Sequence, residues 1–570
     1  MRSATTSGPG SPGGSATIIN VSDLLTAAAN TFATRPALIW STGSSSWADL
    51  NRAVDAGAAE LAAAGLAPGS RVIVSLETGP NIIAALFAVA RAGLIAVPIG
   101  PNRPDLKGVV AKVGATAAIA AQSGTGVDFC WSPEQVSSWW SAPDVSQFAA
   151  VGGSEDIAVL ARAASSDRPV MVSHRAIIAA VRAIAATPRL ALRAEDRAVM
   201  VLPAYHLAGW VTAFLPLSLV GGAAVVPDVP TAQRSWLEAV LAAVREHKVS
   251  VIPGAPSLYR RLRSVPGVER ALASVRVMTS GAAPLDPDDF SAMRAITGQR
   301  VWEGYGISES ASVVSTSLMG QSSRTGSVGL PLTGIGIRIV GEDGLDLYVD
   351  HDDSAAHLEH SEDLGADSGA AGEVGRIQIS GPTLFSGYWP DGLDGPDEAG
   401  WFSTGDLGYL DDAEELHLVD SAAETIRVAG FTVYPREIEA VLMMHPYIRD
   451  AAVIGVPGRA GQAMAAMLVP LWGTHPTDDD LDEFVAARLP LFKRPQSYHL
   501  SERLPRNEIG RIDRDAVRAL YRISTRFGDS AASSVEDATP AASQHGRSIR
   551  LPGTGEPDLR SDQDTDEDLF

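Results

Sequence analysis

The sequence predicts an α/β protein in two unequal parts: a large N-terminal domain of mixed sheets packed with helices, then a small mobile α+β C-terminal domain. Three observations predict it. The chain has 570 residues, more than one ordinary core organises. From Val21 onward, helix-period and strand-like stretches alternate, as in a parallel or mixed sheet covered by helices. After Asp406 the pattern shifts to a smaller αβ unit.

Residues 1–16 are mostly Ser, Gly, Pro, Ala and Thr and are expected to be disordered. The large domain is expected over 17–409. Helices are predicted over 48–64 and 80–92, with strands at Arg71–Leu76 and 94–99. The apolar run Ile82–Ile99 is broken by Arg91 and Gly93 and carries Pro98 near its end. It reads as a buried helix followed by a strand, not a membrane span. The alternation returns with helices over 176–186 and 235–247 and strands over 198–202 and Val249–Ile252. Residues 374–380 alternate like a half-buried strand. The stretch 342–371 does not, and is expected to be an acidic surface insertion. Between Glu342 and Glu373 there are eleven acidic residues. His351, His357 and His360 lie among them without tight ligand spacing, so a solvated loop is preferred to a metal site. A hinge is placed at 410–421 and the small domain at 422–521. The small αβ unit has strands near 414–419 and 451–456 and helices over 435–444, 478–488 and 513–521. Residues 528–570 lack aromatic and aliphatic content for a core and are expected to be a disordered acidic tail.

A hydrophobic fraction of 45% with 20% charged residues suits a soluble globular protein. Cys130 is the single cysteine, which excludes an internal disulfide framework and fits a reducing compartment. No apolar core follows Arg2, so no secretory signal is read, and a cytoplasmic location is expected. A net charge of −22 argues against nucleic acid or anionic membrane as a partner. A monomer or homodimer is expected. Only four of the 45 basic residues are lysines (Lys107, Lys112, Lys248 and Lys493), so a Lys-to-Arg exchange carries less weight here than elsewhere.

Three segments could handle a nucleotide. Trp302-Glu303-Gly304-Tyr305-Gly306-Ile307-Ser308-Glu309 sets glycines around an aromatic, then a hydroxyl suited to phosphate and a carboxylate suited to a divalent ion. Thr279-Ser280-Gly281-Ala282-Ala283-Pro284 is small-residue backbone that can lie against a ring face. Gly400-Trp401-Phe402-Ser403-Thr404-Gly405-Asp406 ends in a carboxylate able to accept both hydroxyls of a ribose. Taken singly, each is as consistent with an ordinary turn.

Their joint order resembles the acyl- and aryl-CoA synthetases of the adenylate-forming superfamily, which also contains luciferases and the adenylation domains of peptide synthetases. The resemblance covers roughly residues 20–520. It rests also on Pro203-Ala-Tyr-His206-Leu-Ala-Gly209, Gly372-Glu-Val-Gly375, Ser386-Gly-Tyr388, and Val428-Ala-Gly430-Phe-Thr-Val-Tyr-Pro435-Arg-Glu437-Ile-Glu439. Such enzymes activate a carboxylate with ATP as an acyl-adenylate, rotate the small domain, and pass the acyl group to the thiol of coenzyme A or of a carrier-protein phosphopantetheine. The resemblance implies that Gly281, Ala282, Ala283, Glu303, Gly304, Tyr305 and Gly306 form the adenosine site, with Asp406 on the ribose. Ser308 would meet the α-phosphate and Glu309 would hold Mg²⁺. His206 would sit beside the acyl pocket, with Ala208, Gly209, Trp210 and 253–259 around the acid. Asp420 would be the hinge and border the cofactor, Gly430 would line the thiol channel, and Arg511 would stand at the catalytic basic position.

The chain departs from the family in three places. The family's phosphate loop is rich in Gly, Ser and Thr and carries a lysine. Between Ala161 and Arg168 this chain reads Ala-Arg-Ala-Ala-Ser-Ser-Asp-Arg, without glycine or lysine, before Pro169 and Val170-Met-Val-Ser-His174. Consecutive inward-facing amides are what a phosphate cradle needs, and alanine resists that conformation. Arg162 and Arg168 are the nearby cations. At the hinge the family's arginine is replaced by Ser421, and near the end Arg511 stands where the family has lysine. An acid–CoA ligase with weakened ATP handling is the leading expectation. Two alternatives stay open: a non-adenylating relative that binds adenylate or acyl thioester and catalyses only a transfer, and a different chemistry on the same scaffold.

Overall fold

The computed structural model describes residues 18–101, 103, 105–121, 126–142, 146–162, 168–228, 235–320, 326–341, 343–349, 372–428, 431–458, 461–506 and 511–532. The N-terminal 1–16, residues 163–167 of the phosphate-loop segment, the insertion from 350 to 371 with its three histidines, Gly430, and the tail beyond 532 lie outside them.

The first sheet shows how the sequence builds these layers. Arg71–Ser75 is apolar on both faces, as a strand covered on two sides must be. It is flanked in parallel by Ile95–Pro98 and Ala117–Ala120, and Phe129–Trp131 and Ile157–Ala161 extend the parallel set. Val170–Ser173 closes the edge antiparallel to Ile157–Ala161. Helices Trp47–Ala63 and Pro80–Arg91 pack together beside this sheet; Ser46 starts the former with a capping box and Pro80 stands in the first turn of the latter. Buried between helices, Arg91 pairs with Asp55 at 2.6 Å, both side chains being almost wholly excluded from solvent. His174 starts the helix His174–Ala185. Its Nδ1 accepts from the Val21 amide at 3.1 Å, and burial holds its pKa down at about 4, so it anchors the N-terminal helix Val21–Thr31 as a neutral ring.

A second sheet runs through fourteen strands among the described residues. Its centre is parallel: Arg197–Val199, Val251–Gly254, Val277–Ser280 and Val301–Tyr305 lie side by side. Carboxyl ends of adjacent parallel strands are where open α/β sheets bind ligands, and the loops at 254–255, 280–284 and 305–309 leave from there. Beyond Val301–Tyr305 the sheet is antiparallel and contains the hairpin Trp401–Leu410 and Leu416–Ser421. Asp346–Val349 also joins this sheet, antiparallel to Gly336–Val340. The acidic surface insertion expected over 342–371 therefore carries a short edge strand within its described residues 343–349.

Past Ser421 the chain leaves that sheet. Ile426–Val428, Phe431–Val433, Ile448–Gly458, Gly461–Pro470 and Ser497–Leu500 form a separate sheet, covered by the helices Pro435–Met443, Asp478–Ala486 and Arg514–Ala532. The last helix continues beyond 521, where the sequence pattern fades. At the junction, Asp420 is 2% exposed and its Oδ2 accepts from the Arg436 amide at 3.1 Å. Among the described residues no helix is long and apolar enough to cross a membrane.

Candidate active site

Between the two parts lies a cleft of about 1270 Å³. Its floor is made by the ends of the parallel strands and its roof by the small domain. Gly281, Ala282 and Ala283 follow the strand Val277–Ser280 directly and line one wall, facing Gly304, Tyr305 and Gly306 on the next strand. A Cβ at 306 would fall 2.1 Å from the Ser312 carbonyl oxygen, so only glycine lets the turn 306–312 fold back this tightly. Ala282 adopts φ 70°, a left-handed conformation uncommon for a residue with a side chain.

Tyr305 is buried, and its hydroxyl donates to Asp406 Oδ2 at 2.6 Å. Burial, then the neighbouring Asp406 charge, push the phenol pKa well above its ordinary value, so it stays a donor. Arg511 enters from the small domain and its Nε donates to the Ala282 carbonyl. Burial lowers its pKa, opposed by the facing Asp406. Tyr305, Asp406 and Arg511 thus form one cluster although they lie far apart in sequence.

Ser308 and Glu309 form the short turn after this strand. The Ser308 hydroxyl donates to the Arg162 carbonyl at 2.8 Å. Glu309 Oε1 accepts from the Tyr388 hydroxyl at 2.8 Å, and its backbone carbonyl accepts from the Phe385 amide. The Ser386-Gly-Tyr388 motif therefore serves to hold Glu309, a role the sequence reading did not assign. His206 begins the short helix Leu207–Val211 and lines the cleft, its ring 5.2 Å from that of Tyr205.

Arg168, one of the two cations considered for phosphate, borders the cleft, but its guanidinium is engaged by neighbouring groups. Its Nη1 donates to Asp394 Oδ2 at 2.8 Å and its Nη2 to Asp391, and it lies over the Tyr388 ring. Among the described residues no group of three or more His, Cys, Asp or Glu could hold a metal ion.

Three expectations need correction. Glu303 does not line the cleft: its carboxylate is buried beneath it, where Oε2 accepts from the Leu285 amide at 3.1 Å. Asp420 does not line it either, being buried against Arg436 as described. Trp210, expected around the acid, is 2% exposed and packs edge-on against Phe87 and does not line the cleft; Ala208 and Gly254 do.

Burial raises the Glu303 pKa from 4.5 to about 7, partly offset by the Leu285 and Gly326 amides. The fold thus favours the neutral acid. Its contribution to stability is complete below about pH 4.5 and is lost as pH rises through about 7, a fall of about 3 kcal/mol. Unfolding measured between pH 5 and 8 is expected to show this fall in the wild type and not in Glu303→Gln. Equal slopes in both would sink the assignment.

The sequence matches AMP-binding enzyme over residues 25–158 and 168–389, and AMP-binding enzyme C-terminal domain over 437–511. The chain belongs to the AMP-binding enzyme family. Within this AMP-binding family it is 28% identical over 490 residues to a feruloyl-CoA synthase from Amycolatopsis sp, covering 83% of this chain and 94% of that protein. It is 29% identical over 381 residues to 4-coumarate--CoA ligase 3 from Oryza sativa subsp. japonica, covering 65% of this chain and 64% of the rice protein. The fold is that of the adenylate-forming enzymes. ATP-bound MatB from Rhodopseudomonas palustris superposes with TM-score 0.77 at 23% identity, covering 88% of this chain and 99% of that chain. The anthranilate CoA ligase AuaEII in complex with anthranoyl-AMP gives TM-score 0.76 at 19% identity, covering 89% and 98%.

Proposed function

We propose that this member of the AMP-binding family is an acid–CoA ligase-like enzyme that forms an acyl-adenylate and passes the acyl group to a thiol, with weakened use of ATP. The observation that carries the reading is the single cleft in which the Tyr305–Asp406 pair, the Ser308–Glu309 turn, His206 and Arg511 converge. Gly281 to Ala283 and Tyr305 hold adenine, and Asp406 holds the ribose. Ser308 donates to the α-phosphate, and Arg511 neutralises charge developing there. His206 borders the carboxylic acid. Coenzyme A or a carrier-protein phosphopantetheine is the thiol acceptor, reached when the small domain rotates about Asp420 and carries Gly430 to the cleft.

Among the described residues Glu309 belongs to no cluster of three or more ligating side chains, which suits Mg²⁺ that arrives on nucleotide phosphates and not an all-protein cage. Held by Tyr388, Glu309 would bind that ion, which neutralises phosphate charge when bound.

Weak ATP use is supported from the other side of the cleft. The segment 161–168 has no glycine or lysine, and Arg168 is occupied by Asp391 and Asp394. A planar guanidinium at 511 also differs from the compact ammonium of the family. The same observation favours a second reading, a non-adenylating relative that binds adenylate or acyl thioester and performs only the transfer. Pyrophosphate release with Mg-ATP and a broad panel of carboxylic acids is expected to be about 100- to 1000-fold below that of an intact family member, while AMP binds measurably by calorimetry. Fast release with any acid would restore undiminished ATP handling. No release with any acid would favour the transfer-only reading, and failure to bind AMP would overturn both.

A further inference from the structure

We propose that Arg436, on the first helix of the small domain, supplies the guanidinium that binds the phosphate of an adenosine nucleotide in this cleft, in place of the arginine missing at Ser421. The inference rests on the adenylate reading of the cleft.

Ser421 lines the cleft but offers only a hydroxyl, which donates to the Gly405 carbonyl at 3.4 Å. Arg436 lines the same cleft from the first turn of Pro435–Met443 and its side chain is 29% exposed. Asp420 grips the base of this side chain, with Nε 3.7 Å from Oδ1, while the Arg436 amide donates to Oδ2. The terminal amino groups of Arg436 make no hydrogen bond among the described residues. Three other arginines of the roof are committed to carboxylates. Arg514 forks onto Glu439 and also meets Glu424, Arg506 pairs with Asp450, and Arg518 pairs with Asp515.

Arg436 also stands near Arg511. Burial first, and then the Arg436 charge, weaken proton affinity at Arg511, while Asp406, Tyr305 and Glu424 act in the opposite sense. Two guanidinium groups converging on one cleft repel each other until an anion lies between them. A phosphate meets that need, and the planar fork of arginine matches its oxygens in a way a hydroxyl cannot. Asp420 leaves the outer edge of the Arg436 fork facing the cleft.

The test uses the full-length protein and calorimetry with two probes, adenosine and AMP. Arg436→Gln is expected to weaken AMP about 10-fold or more and leave adenosine unchanged, so that adenosine also reports on folding. Adding Ser421→Arg to that variant is expected to restore most of the AMP affinity. Unchanged AMP affinity in Arg436→Gln, or an equal loss for adenosine, would overturn the proposal while leaving the adenylate site in place. Wild-type protein that binds neither probe would overturn the adenylate reading itself, and this proposal with it.

Discussion

Asp406→Asn is expected to lower affinity for adenosine by about 100-fold or more, the combined effect of two hydrogen bonds to a charged acceptor at about 1.5–3 kcal/mol each. Asp406 is fixed by the long strand Trp401–Leu410, and its amide donates to the Thr404 hydroxyl at 3.1 Å. Asparagine preserves shape and still accepts from Tyr305, so the fold should persist. It removes the charge that faces Arg511 and turns one acceptor into a donor pointing at ribose. Titration with adenosine, which lacks phosphate, isolates this contact from Arg511 and Arg436. A change below about 3-fold would mean that the ribose is held elsewhere.

Asp55→Ala is expected to destabilise the large domain by about 3–5 kcal/mol, because it strands a buried guanidinium. Arg91 is 1% exposed and ties three helices together. Besides Asp55, it donates to Thr26 Oγ1 at 3.0 Å, Asn51 Oδ1 at 2.9 Å and the Ser22 carbonyl at 3.3 Å. Burial lowers the Arg91 pKa, and Asp55 is the main opposing influence. The double variant Asp55→Leu/Arg91→Met removes both charges and is expected to recover most of the loss, as apolar replacement of a buried pair commonly does. Urea midpoints for the three proteins would check this; a loss under about 1 kcal/mol in the single variant would show that water reaches Arg91.

Elements with strong periodicity were legible in the sequence. The helix read over 80–92 is Pro80–Arg91, and the strand read over 374–380 is Gly375–Ser380. The large and small parts with their separate sheets followed from the same patterns. Asp346–Val349 was missed because a four-residue strand inside an acidic stretch is too short to show a period. In the site, motif order located the residues but not their facing. Glu303 and Tyr305 are two apart on one strand and both are buried, yet only Tyr305 reaches the cleft. Partners distant in sequence were illegible: nothing local signals that Arg168 pairs with Asp391 and Asp394, or that Tyr388 holds Glu309. The acidic pair at 391 and 394 beside a matched aromatic was the available hint. Arg436 was visible inside a quoted motif, but its proximity to Arg511 arises only when the small domain is folded over the cleft.

The bond from Asp420 to the Arg436 amide has a mechanical consequence. Tyr434 begins the helix Pro435–Met443 without a side-chain cap of its own. Its first-turn amide is instead satisfied by a carboxylate on the last strand of the other domain. Swinging the small domain away uncovers that amide, a loss of about 0.5–2 kcal/mol for a missing N-terminal cap. If the small domain rotates as proposed, the junction would act as a latch favouring the orientation seen here by a few-fold to about 30-fold. It is released by whatever next satisfies the helix end.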